Sequence, residues 1–169
     1  PYFINNTPTE IIKNSAIDAC AQCSEGFDSK NGNEYTKFLC MKAFDILEDA
    51  ILNNRYENLP MGALITGLGF GNCSTTLGHA LSYVFSNEGY SHGHALAFTT
   101  FEAHEFNSSI FAERFYKIRK KLGFEEIFLK EDVEKSARII MTDRKHLDNN
   151  PKIVTEKNLV EILQKFKVR

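Results

Sequence analysis

Two histidines, His79 and His92, stand in the segment GHALSYVFSNEGYSHGHA, and upstream an aspartate and a glutamine, Asp18 and Gln22, lie four residues apart. Imidazole nitrogens with carboxylate and amide oxygens make a donor set for a divalent ion of the iron or zinc type. On one unbroken helix the thirteen-residue spacing would hold the histidines roughly 20 Å apart on nearly opposite faces. Asn87, Glu88 and Gly89 supply a helix stop, however, and Ser91 can cap a new helix, so a turn can bring His92 back toward His79. Asp18 and Gln22 share one helix face. Taken alone they read as a solvated acid and a surface amide, but Ala16, Ile17, Ala19, Cys20 and Ala21 make that face less obviously wet. A carboxylate removed from water needs a partner, and a cation is one.

The other histidines fit such a site less well. His94 points away from His92 on a helix, and His104 falls about 18 Å further along it. His146 follows Asp143, Arg144 and Lys145 and reads as solvated. Tyr83, one turn after His79 and on its face, is a candidate proton donor, with core packing as the plainer role.

The elements that must position these residues are helical. Thr7 or Thr9 can cap a segment running to about Cys23, with Pro8 allowed in a first turn, and Gly26 to Glu34 reads as a polar connection. Tyr35 to about Asn53 repeats apolar residues with a period near 3.6. Met61 to about Ser86 reads as one central helix buried on most sides. Further helices are expected from Ser91 to about Phe106, Ser108 to Lys121, Glu131 to Met141 and Thr155 to Phe166. Nothing alternates with period two, so the expectation is an all-α bundle of about seven helices in one domain spanning residues 1–169.

Two motifs invite other readings. GLGFG at Gly67 to Gly71 lacks the spacing of a dinucleotide loop and follows no strand, so close helix packing explains its glycines better. Cys20, Cys23, Cys40 and Cys73 begin with a CxxC pair but lack the second pair of a structural zinc site, and read as small packed residues.

Length and 43% hydrophobic content allow one sizeable core. With 20 Lys+Arg against 22 Asp+Glu, the net charge of -2 favours neither nucleic acid nor a membrane surface. No apolar run reaches membrane-span length, and the start, PYFINNTPTEII, lacks signal-peptide regions, so a cytoplasmic chain is expected. It opens on Pro1 without a methionine, as a processed chain or a piece of a longer one would.

Taken together, four segments resemble the C-terminal, helical metal-binding domain of the iron-containing (group III) alcohol dehydrogenases, a dehydroquinate synthase-like fold. SAIDACAQCSE is similar to the family pattern G-x-D-A-x-x-H-A-x-E, TGLGFGNCSTTLGHAL to its small-residue helix before HAL, HGHALAFTTFEAHEFN to its HG motif, and NNPKIVTEKNLVEIL to its closing turn and helix. The resemblance implies Asp18, Gln22, His79 and His92 as ligands of ferrous iron or zinc. It further implies hydride transfer between a small alcohol or aldehyde and NAD(H) or NADP(H). The cofactor would bind mainly to an N-terminal nucleotide-binding domain absent from this chain and supplied in cis or by a partner chain. The isolated domain is then expected to be inactive, and a homo-oligomer is compatible with the pattern.

Three departures stand out. Gln22 replaces the commonest ligand, a histidine, although members similar to phosphonoacetaldehyde reductases carry Gln there. Tyr83 replaces a second histidine one turn after His79, and a proline expected after the HG motif is missing. The rival readings are a related dehydroquinate synthase-like or glycerol dehydrogenase-like enzyme, and a helical interaction module without catalysis.

Overall fold

Successive amphipathic segments fold the chain into helices joined by short connections. The computed structural model describes residue 4 and residues 6–167, and among them it contains nine α-helices, one 3-10 turn at Tyr56–Asn58 and no strand. The helices are α1 Thr9–Asp28, α2 Glu34–Leu52, α3 Leu59–Phe70, α4 Leu77–Asn87, α5 His92–Asn107, α6 Ala112–Leu122, α7 Val133–Met141, α8 Arg144–Asn149 and α9 Glu156–Gln164. Pro1, as part of the opening segment read above, lies outside the described residues.

The apolar stripes meet in two clusters. One gathers Ile17, Phe44, Leu47, Ile51, Phe111 and Phe115 from α1, α2 and the start of α6. The other gathers Leu77, Leu81, Phe85, Ile140, Leu159 and Leu163 from α4, α7 and α9. Helix α5 lies between them, giving Leu96 and Ala97 to the first and Ala95 and Ala103 to the second. All four cysteines are buried and free, with Cys20, Cys23, Cys40 and Cys73 in the first cluster.

The structure corrects the sequence expectation in four places. Among the described residues there are nine helices rather than about seven. The first helix continues past Cys23 to Asp28, because a packed interior favours the glycine its propensity disfavours. A β-carbon at Gly26 would stand 3.1 Å from Cys40 Sγ and 3.2 Å from Cys73 Sγ. The expected central helix from Met61 to Ser86 is broken into α3 and α4. Between them Ser74 adopts a φ of 65°, and Asn149 Nδ2 donates to Cys73 O at 2.8 Å and Thr75 O at 3.0 Å, holding the link open. Finally, residues 144–149, expected as polar loop, form α8, whose N-cap Asp143 accepts from His146 N at 3.3 Å.

Candidate metal centre

Helix α1 extends one face through Asp18, Gln22 and Glu25, at i, i+4 and i+7. Two glycines let the histidine-bearing helices close on it. A β-carbon at Gly93 would meet the Asn14 backbone, with Asn14 Cα at 2.7 Å, and one at Gly78 would collide with the Glu25 carboxylate and stand 2.8 Å from Thr100 Cα. The glycines in GH and HG thus sit beside His79 and His92 because no side chain fits there. The turn between α4 and α5 passes through Gly89 at φ +99°, and α5 then starts at His92. Ser91 stands at the N-cap, but its hydroxyl donates to Asn14 Oδ1 at 2.6 Å rather than capping the helix, which ties the start of α5 to α1.

This packing brings three of the four expected donors around one point. His79 Nε2 lies 3.7 Å and His92 Nε2 3.8 Å from Asp18 Oδ1, and all three ligand atoms fall within 4.8 Å of one another. These separations are too long for hydrogen bonds. They match the roughly 3.4 Å between neighbouring donors that each stand about 2.1 Å from a tetrahedral ion. Gln22 joins from the same helix turn, with Nε2 donating to Asp18 Oδ1 at 3.0 Å. A half-turn of the amide presents Oε1 to the same space.

Glu25 decides which nitrogen His79 offers. Its buried carboxylate accepts from Thr76 N at 3.2 Å, Gly78 N at 2.5 Å and His79 Nδ1 at 2.5 Å. It therefore caps the exposed N–H groups of α4 and holds the His79 Nδ1–H, so that Nε2 is the ring nitrogen that faces Asp18 and would give up its proton to an ion. Burial alone would lower the His79 pKa, but the Glu25 charge, with Asp18, overcomes it and holds the ring at about 9. For Glu25 burial works upward, and the facing His79 outweighs it, keeping the carboxyl below its ordinary value. His92 is pushed down by desolvation, so it presents a neutral ring at the open side of the cluster. Tyr83 follows one turn after His79, with its ring stacked on His92 at 6.4 Å between centroids. Desolvation, with Asp143 adding to it, raises its pKa and keeps the phenol protonated.

Sequence reasoning missed two neighbours. Glu25 was legible as the next step of the Asp18–Gln22 face, but the helix was expected to end before it. His146 was assigned to solvent, yet it is 7% exposed, and its ring stacks on His79 with centroids 6.2 Å apart. Packing against α4 overrides the polar character of its sequence neighbours. His94 and His104 lie elsewhere, as expected: His94 Nε2 meets Glu125 O at 2.6 Å, and the buried His104 Nε2 meets Ser24 Oγ at 2.9 Å.

An all-helical domain with carboxylate and imidazole donors converging from three helices defines a class, and comparison with known proteins narrows it. Residues 12–136 match the model of the Fe-containing alcohol dehydrogenase family, C-terminal, and the chain belongs to that family. It is 30% identical over 106 residues to 4-hydroxybutyrate dehydrogenase from Clostridium kluyveri, an alignment covering 56% of this chain and 29% of that protein. It is similar in structure to an iron-containing alcohol dehydrogenase from Thermotoga maritima (TM-score 0.81, 22% identity), covering 95% of this chain and 50% of that one. A sulfoacetaldehyde reductase from Bifidobacterium kashiwanohense, solved with NAD+, is similar in fold at TM-score 0.82 and 21% identity, with 95% of this chain and 51% of that chain covered. The chain thus spans about half the length of these solved relatives and less than a third of the curated one.

Proposed function

We propose that this chain is the metal-binding part of an NAD(P)-dependent alcohol dehydrogenase or aldehyde reductase, with Asp18, Gln22, His79 and His92 holding ferrous iron or zinc. The observation that carries this reading is the buried Glu25–His79 pair, which turns His79 Nε2 toward Asp18 and His92 at ligand spacing. Family membership and the dehydrogenase and reductase relatives support it. When bound, the ion supplies Lewis acidity that stabilises alkoxide in one direction and polarises a carbonyl in the other.

The chain's own residues then have separate tasks. Asp18 brings negative charge to the ligand set, His92 brings a neutral nitrogen at the open side, and Gln22 contributes an amide oxygen, a weaker donor than imidazole. Glu25 fixes the His79 ring. Tyr83, beside His92, hydrogen-bonds the substrate oxygen or delivers its proton. The nicotinamide cofactor is held mainly by a nucleotide-binding domain outside this chain, in cis or on a partner. The substrate is a small alcohol or aldehyde.

Purification without chelator followed by elemental analysis tests the ligand set. Close to one iron or zinc per chain is expected, lost in His79→Ala and in His92→Ala. Equal metal content in the wild type and both variants would sink the assignment.

A further inference from the structure

Two of the four buried thiols meet. The β-carbon that Gly26 lacks would touch both Cys40 Sγ and Cys73 Sγ, and one at Gly69 would stand 2.8 Å from Cys40 Sγ. Two glycines thus make the room in which these sulfurs face each other. Among the described residues no third histidine, cysteine or carboxylate joins them as a metal ligand would. Cys20 and Cys23 differ, since they lie three apart on α1 and a bond between them would have to move its backbone. Burial pushes the Cys20 thiol up, and that of Cys23 up to about 12. Cys73 goes the other way: a hydrogen bond from Cys40 holds its thiol below the ordinary value against burial, and the same contact pushes Cys40 up. Cys73 is therefore the most nucleophilic of the four.

The position of Cys73 ties this pair to the donor cluster. It stands 3% exposed in the link between α3 and α4, between the exposed Asn72 and Ser74, whose φ is 65°. Backbone outside the helices opens locally at lower cost than the helices around it, which gives a small oxidant access. Asn149 holds Cys73 O and Thr75 O, Glu25 holds Thr76 N and Gly78 N, and His79 follows directly.

We propose that Cys40 and Cys73 are a modification site: a hydroperoxide joins them in a disulfide that shifts the α3–α4 link and loosens the metal held through His79. The inference rests on the reading of Asp18, Gln22, His79 and His92 as metal ligands. The Cys73 sulfur attacks the peroxide, the O–O bond breaks, one water leaves, and Cys73 becomes a sulfenic acid. The Cys40 sulfur then attacks the Cys73 sulfur, the S–O bond breaks, the S–S bond forms, and the oxygen leaves as a second water. Two thiols have lost two electrons and two protons, and one peroxide has taken them up. A disulfide brings its sulfurs to about 2 Å, closer than two thiols in contact, so the link that leads to His79 is drawn toward α2.

The test treats the metal-free full chain with a small excess of hydrogen peroxide. Intact mass should fall by two hydrogens per chain, and peptide mapping without reductant should link Cys40 to Cys73. Zinc affinity, measured against a chromogenic chelator, should fall by about tenfold on oxidation, the order of disturbing a ligand's outer partners, and return with dithiothreitol. Cys40→Ser and Cys73→Ser should bind zinc as the reduced wild type does and lose the response to peroxide, and either variant suffices if the other fails to fold. No disulfide, a different cysteine pair, or over-oxidation of single thiols in place of the bond overturns the proposal. So does a Cys40–Cys73 bond that leaves zinc affinity unchanged. A reduced chain that binds no zinc overturns the metal reading and this inference with it, whereas zinc binding indifferent to oxidation overturns this inference alone.

Discussion

Glu25 carries more of the site than its absence from the ligand set suggests. It is buried, it closes the N-terminus of α4, and it fixes which His79 nitrogen faces the donor cluster. Glu25→Gln should therefore leave the helices in place but weaken metal binding by about 10–100-fold, the usual effect of losing such an outer partner. Competition against a chromogenic chelator measures this, and unchanged affinity would count against the role. The pair also makes a pH prediction for the metal-free chain. His79 is held at about 9, against about 6.5 when unfolded, so its stabilisation is complete below about pH 6.5 and is lost as pH rises through 9. Glu25, held low, contributes above its unfolded value of about 4.5 and loses its contribution as pH falls through the lowered one. Urea midpoints should show the wild type's advantage over Glu25→Gln to be largest between about pH 5 and 6.5 and to shrink above pH 8. A constant difference across that range would contradict the coupling. At this scale the approach of Asp18, His79 and His92 to one another was legible, because helical spacing and a turn signal suffice to bring them together. His146 was not, because its burial comes from α4, which is remote in sequence.

Among the elements, the tight approach of α5 to α1 governs where His92 stands. Gly93→Ala would drive a methyl group into the Asn14 backbone, which cannot yield as a flexible side-chain tip would. The expected cost is about 1–3 kcal/mol of stability, with a loss of metal affinity as His92 is displaced. Chemical denaturation and metal titration of the same variant measure both, and full affinity with wild-type stability would contradict the packing argument. Gly67 is the contrasting control, since a β-carbon there meets nothing within 4 Å, and Gly67→Ala should be near neutral or stabilising. Helix identity was readable from apolar periodicity, most clearly in α2, where Asn33 and Thr36 also form a capping box. The break between α3 and α4 was not readable. It depends on Asn149 and Glu25, which come from distant parts of the chain and satisfy backbone groups that a continuous helix would satisfy itself.

For the whole molecule, the all-α architecture was legible from the lack of period-two segments, while the count of helices was blurred by short elements such as α8. No helix among the described residues is long and apolar enough to cross a membrane. The chain covers about half the length of its solved relatives, and the proposed function places the nicotinamide cofactor mainly outside it. Purified alone, the 169-residue chain should give no measurable NADH- or NADPH-dependent reduction of short aldehydes. Robust turnover abolished by His92→Ala would reveal a nucleotide site within these helices. The donor positions have a further mechanical consequence. Asp18 comes from a helix rooted in one apolar cluster, His79 from a helix rooted in the other, and His92 from α5, which serves both. A cation held there is a rivet across the seam between the two halves of the core. Metal should therefore raise the melting temperature, and stripping it should loosen the halves from each other, visible as faster amide exchange along α4 and α5 before any helix is lost.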